Sequence, residues 1–302
     1  MESVIHTENL AKLYGDLPAV VDLNLDVFKG EVYGYLGPNG AGKSTTIRVL
    51  LDHIRPTTGL ASIFGLDTRT DSVEIKSRVG YLPGDLTLYE NMTGKDMLTY
   101  FGSLRGSFDS PYVNELAERL DCDLSRRLSE LSRGNRQKVG LIQAFMGKPE
   151  LLILDEPTTG LDPLIQQEFN SLIQEITHEG RTVFFSSHIL PEVERICDRI
   201  GIIREGRLTV VEDMQEFTNQ STFHRFEIEF NTDFAPERFS LIPGVSNLKT
   251  EGRKLTCSVT GSPDKFIKAI AELEVANLIS QEPSLEEMFL TLYGEKNTED
   301  VE

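Results

Sequence analysis

The sequence predicts an α/β protein in two parts: a mixed sheet with helices on its faces, then a smaller α/β unit. Three observations carry this expectation. Short apolar runs alternate with helically spaced segments from residue 3 to about 210. A glycine-rich turn, Gly37-Pro38-Asn39-Gly40-Ala41-Gly42-Lys43-Ser44, lies between a strand pattern and a helix pattern. The alternation dissolves into polar residues over 211–222 and then resumes. With 302 residues, the chain slightly exceeds what one core usually supports. The expected division is therefore a first domain over 1–210, a linker over 211–222, a second domain over 223–293 and an acidic tail over 294–302.

Residues 3–36 alternate apolar and polar positions, with turns at Gly15-Asp16 and Lys29-Gly30, and read as antiparallel strands. The last of them, Glu31–Leu36, feeds the glycine-rich turn, and Thr45–Leu51 reads as the helix after it. Leu88–Leu104 and Pro111–Leu120 have helical spacing, separated by Gly106-Ser107. In Asn135–Met146, Val139, Ile142 and Met146 recur at three- and four-residue steps, so this is a helix. Leu151–Leu154 is continuously apolar between Pro149 and Pro157, as in a strand buried on both faces. Helices over Leu164–Ile176 and Pro191–Cys197 then alternate with strands over Thr182–Ser186 and Arg199–Ile203. In the second part, His224–Phe230, Val245–Lys249, Lys254–Val259 and Asn277–Gln281 read as strands. Pro263–Leu273 and Ser284–Tyr293 read as helices, the latter with a capping box of Ser284 and Glu287.

Composition narrows the function. No run approaches the roughly 18 apolar residues of a membrane span, and Met1–Leu10 has no signal-peptide pattern. Cys122, Cys197 and Cys257 are far apart and odd in number, which suits free thiols. The net charge of −18 is spread along the chain, −11 over residues 1–220 and −7 over 221–302. Neither part offers a basic face, so no nucleic-acid partner is expected.

The turn itself fits G-x-x-x-x-G-K-[ST]. Chance would place four such fixed positions in a chain this long about once in a hundred, with Gly near 7% of residues. Backbone N–H groups at a helix N-terminus would cradle phosphates, Lys43 would reach the β- and γ-phosphates, and Ser44 would ligate Mg²⁺. Strand 151–154 ends in Asp155-Glu156. Beside a phosphate loop, the first carboxylate can hold Mg²⁺ and the second can accept a proton from an attacking water. Leu131-Ser132-Arg133-Gly134 opens a helix and offers a second anion site, a weak signal taken alone.

In order, the phosphate loop, the Leu-Ser-x-Gly helix, the Leu-Asp-Glu-Pro strand and Ser187-His188 resemble the ATP-binding subunit of ABC transporters. The resemblance covers residues 3–210. With the ending Pro283–Phe289, it looks like the bacterial drug- and antibiotic-exporter branch. It implies a P-loop NTPase of ABC type with a helical subdomain at about 86–148. It also implies ATP and Mg²⁺ as cofactors. Tyr14 matches the residue that stacks on adenine, and Gly37 to Thr45 the loop that holds the phosphates. Asp155 and Glu156 match the metal carboxylate and the catalytic base. Ser132 and Gly134 match the signature that meets the opposite protomer's γ-phosphate. Asp162 matches the loop between the two sites, and His188 the switch histidine.

There are two departures. Gly84 stands where the family usually has a glutamine that contacts Mg²⁺ and water, with Asp85 one residue away as a substitute metal contact. If a side chain is needed there, Gly84→Gln should raise hydrolysis or tighten metal dependence. If Asp85 already substitutes, Asp85→Ala should weaken metal dependence and Gly84→Gln change little. Modest effects are expected of both, the larger from Asp85→Ala. Arg133 stands where glycine is common in the signature. The implied assembly is a second copy, or a homologous subunit, joined head to tail. It would dock on a separately encoded membrane permease at the cytoplasmic face of the membrane, with Leu86–Met92 as a docking surface. A soluble ABC-type ATPase of DNA repair or translation is the rival class. Such proteins usually carry a long insert or two cassettes, but only 87 residues separate Lys43 from Leu131 here. A nucleotide-binding regulator with weak hydrolysis is kept open by Gly84.

Overall fold

The computed structural model describes residues 2–106, 109–220 and 223–281. Its compact units are Met1–Met214 and Gln215–Glu302.

In the first unit, strands β1 (Ser3–Tyr14) and β2 (Leu17–Phe28) form a hairpin. Val20, Leu23, Leu25 and Val27 are buried while Asn24 and Asp26 face outward, the period-two pattern of a half-buried strand. Strand β3 (Val32–Leu36) is buried at every residue and hands the chain to helix α1 (Lys43–Leu50). Strand β4 (Thr58–Ile63), strand β5 (Leu66–Asp67), helix α2 (Ser72–Arg78) and strand β6 (Val79–Leu82) follow. The sequence reading assigned none of these four, because each is too short for its period to stand out from the polar residues around it. Helices α3 (Gly94–Leu104), α4 (Ser110–Arg119) and α5 (Arg133–Phe145) come next. Then β7 (Leu151–Asp155), α6 (Pro163–His178), β8 (Thr182–Ser187), α7 (Leu190–Ile196), β9 (Arg199–Arg204) and β10 (Arg207–Asp213) alternate.

These strands form two sheets. One is antiparallel, in the order β2-β1-β4-β5, and the other runs β10-β9-β3-β8-β7-β6. The second is parallel throughout except for the β9–β10 pair. Leu25 and Val27 of the first sheet, Tyr35, Ile153 and Phe184 of the second, and Ile47 of α1 belong to one buried apolar cluster. Tyr33 stacks on Phe184 with centroids 5.9 Å apart. Each such side chain contributes roughly 1.5–3 kcal/mol on burial. This core fixes the C-terminal ends of β3, β7 and β8, from which the loops of the site emerge. Arg119 ties the helical segment to α6, through Glu168 at 2.5 Å and both oxygens of Glu175 at 2.7 Å.

Two expectations need correcting. The helix expected from Leu88 begins only at Gly94, because the Thr93 hydroxyl accepts the Asp96 N–H at 3.1 Å and caps it. The polar stretch 211–222 is not a linker in its first ten residues. Strand β10 runs to Asp213, and helix α8 (Met214–Gln220) follows directly. Met214 and Phe217 are buried, and two apolar anchors spaced three residues apart are enough to hold a short helix among polar neighbours.

The rest of the second unit is β11 (Phe223–Phe230), α9 (Glu237–Ser240), β12 (Val245–Glu251), β13 (Lys254–Thr260), α10 (Asp264–Ile270) and β14 (Val275–Gln281). The sheet is antiparallel in the order β12-β13-β11-β14, a βαββαβ arrangement of ferredoxin-like type. Phe226, Ile228, Phe230, Leu255, Cys257 and Val259 point to one side, where Phe239 and Phe266 from the two helices cover them. The helix expected over Ser284–Tyr293 and the tail over 294–302 lie outside the described residues.

Candidate functional site

The glycine-rich turn wraps the end of β3 and opens α1. Gly42 has φ 111°, and a Cβ there would meet the Ala19 carbonyl oxygen at 2.4 Å, so only glycine fits. Lys43 is buried and folds back on its own loop. Its Nζ donates to the carbonyls of Gly37 at 2.6 Å and Pro38 at 3.3 Å. Together with Asn39, Gly40, Gly42, Ser44, Thr45 and Arg48, it lines a cavity of about 310 Å³. Asp155, Glu156, Gly84 and Asp85 complete the opposite wall. The topology explains the meeting, because β3 and β7 flank β8 in one parallel sheet and deliver their C-terminal loops to the same edge.

Glu156 is the hub. One carboxylate oxygen lies 3.2 Å from Lys43 Nζ and the other 2.8 Å from His188 Nδ1. Its backbone sits at φ 51°, a left-handed conformation that an ordinary residue adopts only when its surroundings impose it. Its N–H donates to the carbonyl and to the hydroxyl of Ser186, both at 3.2 Å, and its carbonyl accepts the Gln137 amide at 3.4 Å. The Ser186 hydroxyl also donates to Asp155 at 2.5 Å. Ser187 donates to Glu192 at 2.8 Å, which sets the turn that carries His188.

Gln137, Ser186 and Arg48 were missed in the sequence. A serine pair closing the apolar run Thr182–Phe185 was the available signal for Ser186, since a buried strand rarely ends in hydroxyls without a partner for them. Gln137 is a polar residue 7% exposed on a helix, and its amide also reaches the Pro157 carbonyl at 3.0 Å.

The remaining residues are placed elsewhere. Ser132 caps α5, its hydroxyl accepting the Asn135 N–H at 3.3 Å. A Cβ on Gly134 would meet the Gly160 carbonyl at 2.5 Å, so the start of α5 is packed against the turn after β7. Asp162 caps α6, one oxygen accepting the N–H groups of Leu164 and Ile165 at 3.1 Å. Tyr14 lies half exposed at the end of β1, outside the cavity lining, with Lys12 Nζ 5.3 Å from its ring centre.

Gly84 changes the expectation for its restoration. A Cβ at this position would stand 3.0 Å from Oδ2 and 3.1 Å from Cγ of Asp155. The loop therefore runs close to that carboxylate, and a side chain there requires the Asp155 carboxylate to give by a few tenths of an ångström. Gly84→Gln is expected to lower hydrolysis several-fold rather than raise it, and to raise the Mg²⁺ concentration needed for half-maximal rate. A faster enzyme would show that the loop yields. Asp85 is exposed on the same wall, and Asp85→Ala is expected to shift the Mg²⁺ dependence modestly, because water readily replaces one oxygen ligand of this metal.

The family profile described as ABC transporter matches residues 20–159. The bacitracin transport ATP-binding protein BcrA of Bacillus licheniformis is 34% identical over 304 residues, covering 97% of this chain and 98% of its own length. Its namesake from Enterococcus faecalis is 40% identical over 228 residues, which is 74% of this chain and 72% of that protein. A solved ATP-binding subunit of an ABC transporter superposes with a TM-score of 0.66 at 30% identity, covering 72% of this chain and 93% of that one. A phosphate loop, a carboxylate pair and a capped Ser-x-Gly helix on this sheet, with a relative alike over its whole length, have one meaning: the chain belongs to the ATP-binding subunits of ABC transporters and is an ATPase.

Proposed function

We propose that Glu156 is the general base of ATP hydrolysis, and that Lys43 and His188 are its partners in the site. The observation that carries this is the position of one carboxylate between the phosphate-loop lysine and the switch histidine, with its backbone held from two sides. An arriving triphosphate competes with Glu156 for Lys43, which frees the carboxylate to take a proton from the attacking water. Lys43 then carries charge on the β- and γ-phosphoryl oxygens as the bond to the γ-phosphorus breaks. His188 stays within reach of Glu156 and of the γ-phosphoryl group.

Ser44, Asp155 and Asp85 are the residues that would hold Mg²⁺. They supply only oxygen donors to one cavity, the chemistry this hard cation prefers. When bound, the metal supplies charge neutralisation on the phosphates. Asp155 accepts the Ser186 hydroxyl through Oδ1, which orients its other oxygen toward the Gly84 side. Tyr14 is assigned to adenine stacking.

The working unit is a head-to-tail dimer in which Ser132 and Gly134 of one protomer face the phosphates of the other, with Asp162 near the crossing. A homologous subunit can take the second place. The dimer docks on a membrane permease at the cytoplasmic face, and the surface from Leu86 to Met92 supports docking through Tyr89, which is 56% exposed. The cargo is a drug or antibiotic moving outward. Whole-length likeness to a bacitracin transport protein supports this choice. Inside-out vesicles holding the chain and its permease test it: ATP-driven accumulation of bacitracin supports export, whereas no ATP-driven movement of bacitracin, or its ATP-driven loss from preloaded vesicles, overturns it.

The second unit is assigned to regulation or dimer stabilisation. Its buried cluster shares no residue with that of the first, and none of its described residues lines the nucleotide cavity. A chain ending at Gln220 is expected to bind a fluorescent ATP analogue within about threefold of the full chain, on the ordinary scale of changes that leave contact residues in place. A folded but non-binding truncation would overturn the division of labour.

A further inference from the structure

The end of β9 and the turn into β10 line no part of the nucleotide cavity, yet they touch the phosphate loop at several points. Glu205 and Gly206 form the turn, with φ 50° and 79°, the two left-handed residues of a type I′ hairpin. Asn-Gly is the usual pair there, so a glutamate in that conformation marks a backbone that its surroundings impose. The Gly206 N–H donates to the Ala41 carbonyl at 3.0 Å, and the Gly206 carbonyl accepts the Val21 N–H of β2 at 2.8 Å. A Cβ on Gly206 would meet the Ala19 carbonyl oxygen at 2.9 Å, the same oxygen that a Cβ on Gly42 would meet at 2.4 Å. The Ala19 peptide is thus held between two glycines, one in the phosphate loop and one in the turn. Ile203 backs the loop as well. A Cβ on Gly37 would meet its carbonyl oxygen at 2.4 Å, and a Cβ on Gly42 would meet its Cδ1 at 3.2 Å.

The Ala41 carbonyl and the Gly42 N–H belong to one planar trans peptide unit, so they point in opposite directions. With the carbonyl taken up by Gly206, the Gly42 N–H is turned away from the hairpin and toward the cavity that Gly42 and Lys43 line. A backbone cradle holds phosphate only while its N–H groups converge, and flipping one unit replaces a donor by a carbonyl that repels the anion. Ala41 and Ile203 belong to the same buried apolar cluster, which leaves this contact little room to shift. Ala19 lines the cavity, so crowding at Gly206 would also be felt on the cavity wall.

We propose that Gly206 is a positioning residue for the nucleotide. Its N–H fixes the Ala41–Gly42 peptide, its missing Cβ leaves room for Ala19, and Ile203 backs the loop beside it. This rests on the reading that the loop from Gly37 to Ser44 holds the triphosphate, and it adds a determinant of ATP affinity outside that loop. Alanine at position 206 would both strain the left-handed backbone and press on Ala19. A glycine of equal φ in open space carries only the first of these costs. Gly180, with φ 82° and nothing within 4 Å of a Cβ, provides that comparison.

The test compares full-length Gly206→Ala and Gly180→Ala with wild type for Tm and for the Kd of a fluorescent ATP analogue. Both variants are expected to lower Tm, because both force alanine into a left-handed conformation. Only Gly206→Ala should weaken nucleotide binding, by about tenfold, the scale of one misplaced charge-assisted hydrogen bond, and the KM for ATP should rise with it. Ile203→Val is a milder second variant. It removes the Cδ1 beside Gly42 and should weaken binding about threefold, while Ile200→Val on the same buried strand should not. Equal Kd in Gly206→Ala and Gly180→Ala overturns the proposal, whether both are normal or both weakened. If Gly206→Ala does not fold, Ile203→Val decides, and an affinity equal to that of Ile200→Val overturns it. Lys43→Ala keeps the underlying reading separate. Normal binding in Lys43→Ala removes the phosphate-loop assignment itself, whereas lost binding there with normal binding in Gly206→Ala removes only the role of the turn.

Discussion

Glu156→Gln is expected to bind ATP with near-normal affinity and to hydrolyse it about 10²–10⁴-fold more slowly, the usual contribution of a positioned general base. Glutamine has the shape of glutamate and keeps hydrogen-bonding atoms toward Lys43 and His188. The Ser186 and Gln137 contacts that hold the backbone at φ 51° do not involve the side chain and should survive. What is lost is the ability to take a proton. With hydrolysis stopped and binding intact, MgATP should trap the closed dimer, visible by size exclusion as a doubled mass. A variant that hydrolyses at the wild-type rate would remove Glu156 as base. One that stays monomeric with MgATP would count against the sandwich arrangement.

Lys43→Ala is expected to weaken ATP binding by at least about two orders of magnitude. Charge-assisted hydrogen bonds contribute roughly 1.5–3 kcal/mol each, and a lysine can offer several to a triphosphate. The structure adds a second reason for a large effect. Lys43 is 6% exposed and anchors the loop through the Gly37 and Pro38 carbonyls as well as pairing with Glu156. Removing it deprives the phosphate of a cation and leaves Glu156 with His188 alone. Titration with a fluorescent ATP analogue reads the first consequence. Lys43→Arg separates the two, since it keeps a charge but cannot fit the buried turn, and it should bind poorly as well. Tight nucleotide binding by Lys43→Ala would remove the phosphate-loop assignment.

Gly84 shows the limit of reasoning by position. In sequence it is a missing side chain, and restoring a residue is the natural remedy. In space it is a close approach, because a side chain starting there would stand 3.0 Å from the Asp155 carboxylate. That closeness is why Gly84→Gln is expected to slow hydrolysis unless the Asp155 side chain yields.

The sequence alone determined the elements whose causes are local. A phosphate loop is legible because its glycines, lysine and serine act through backbone geometry within eight residues. Buried parallel strands such as β7 and β8 are legible because burial on both faces leaves no polar position to interrupt the run. The order of these motifs carried the family resemblance that put Lys43, Asp155, Glu156 and His188 in one site, and the structure brings the four together. Only the tertiary structure decided what depends on distant partners. The short elements between Asp52 and Asp85 are held by the sheets they join rather than by their own propensity, so no pattern marked them. Helix α8 carries two buried side chains, Met214 and Phe217, and the polar residues around them hid it. Ser186 and Gln137 matter through hydrogen bonds to a residue 30 and 19 positions away. Long-range contacts leave no periodic trace in the chain, because each partner's residue type answers to a neighbour that only folding supplies.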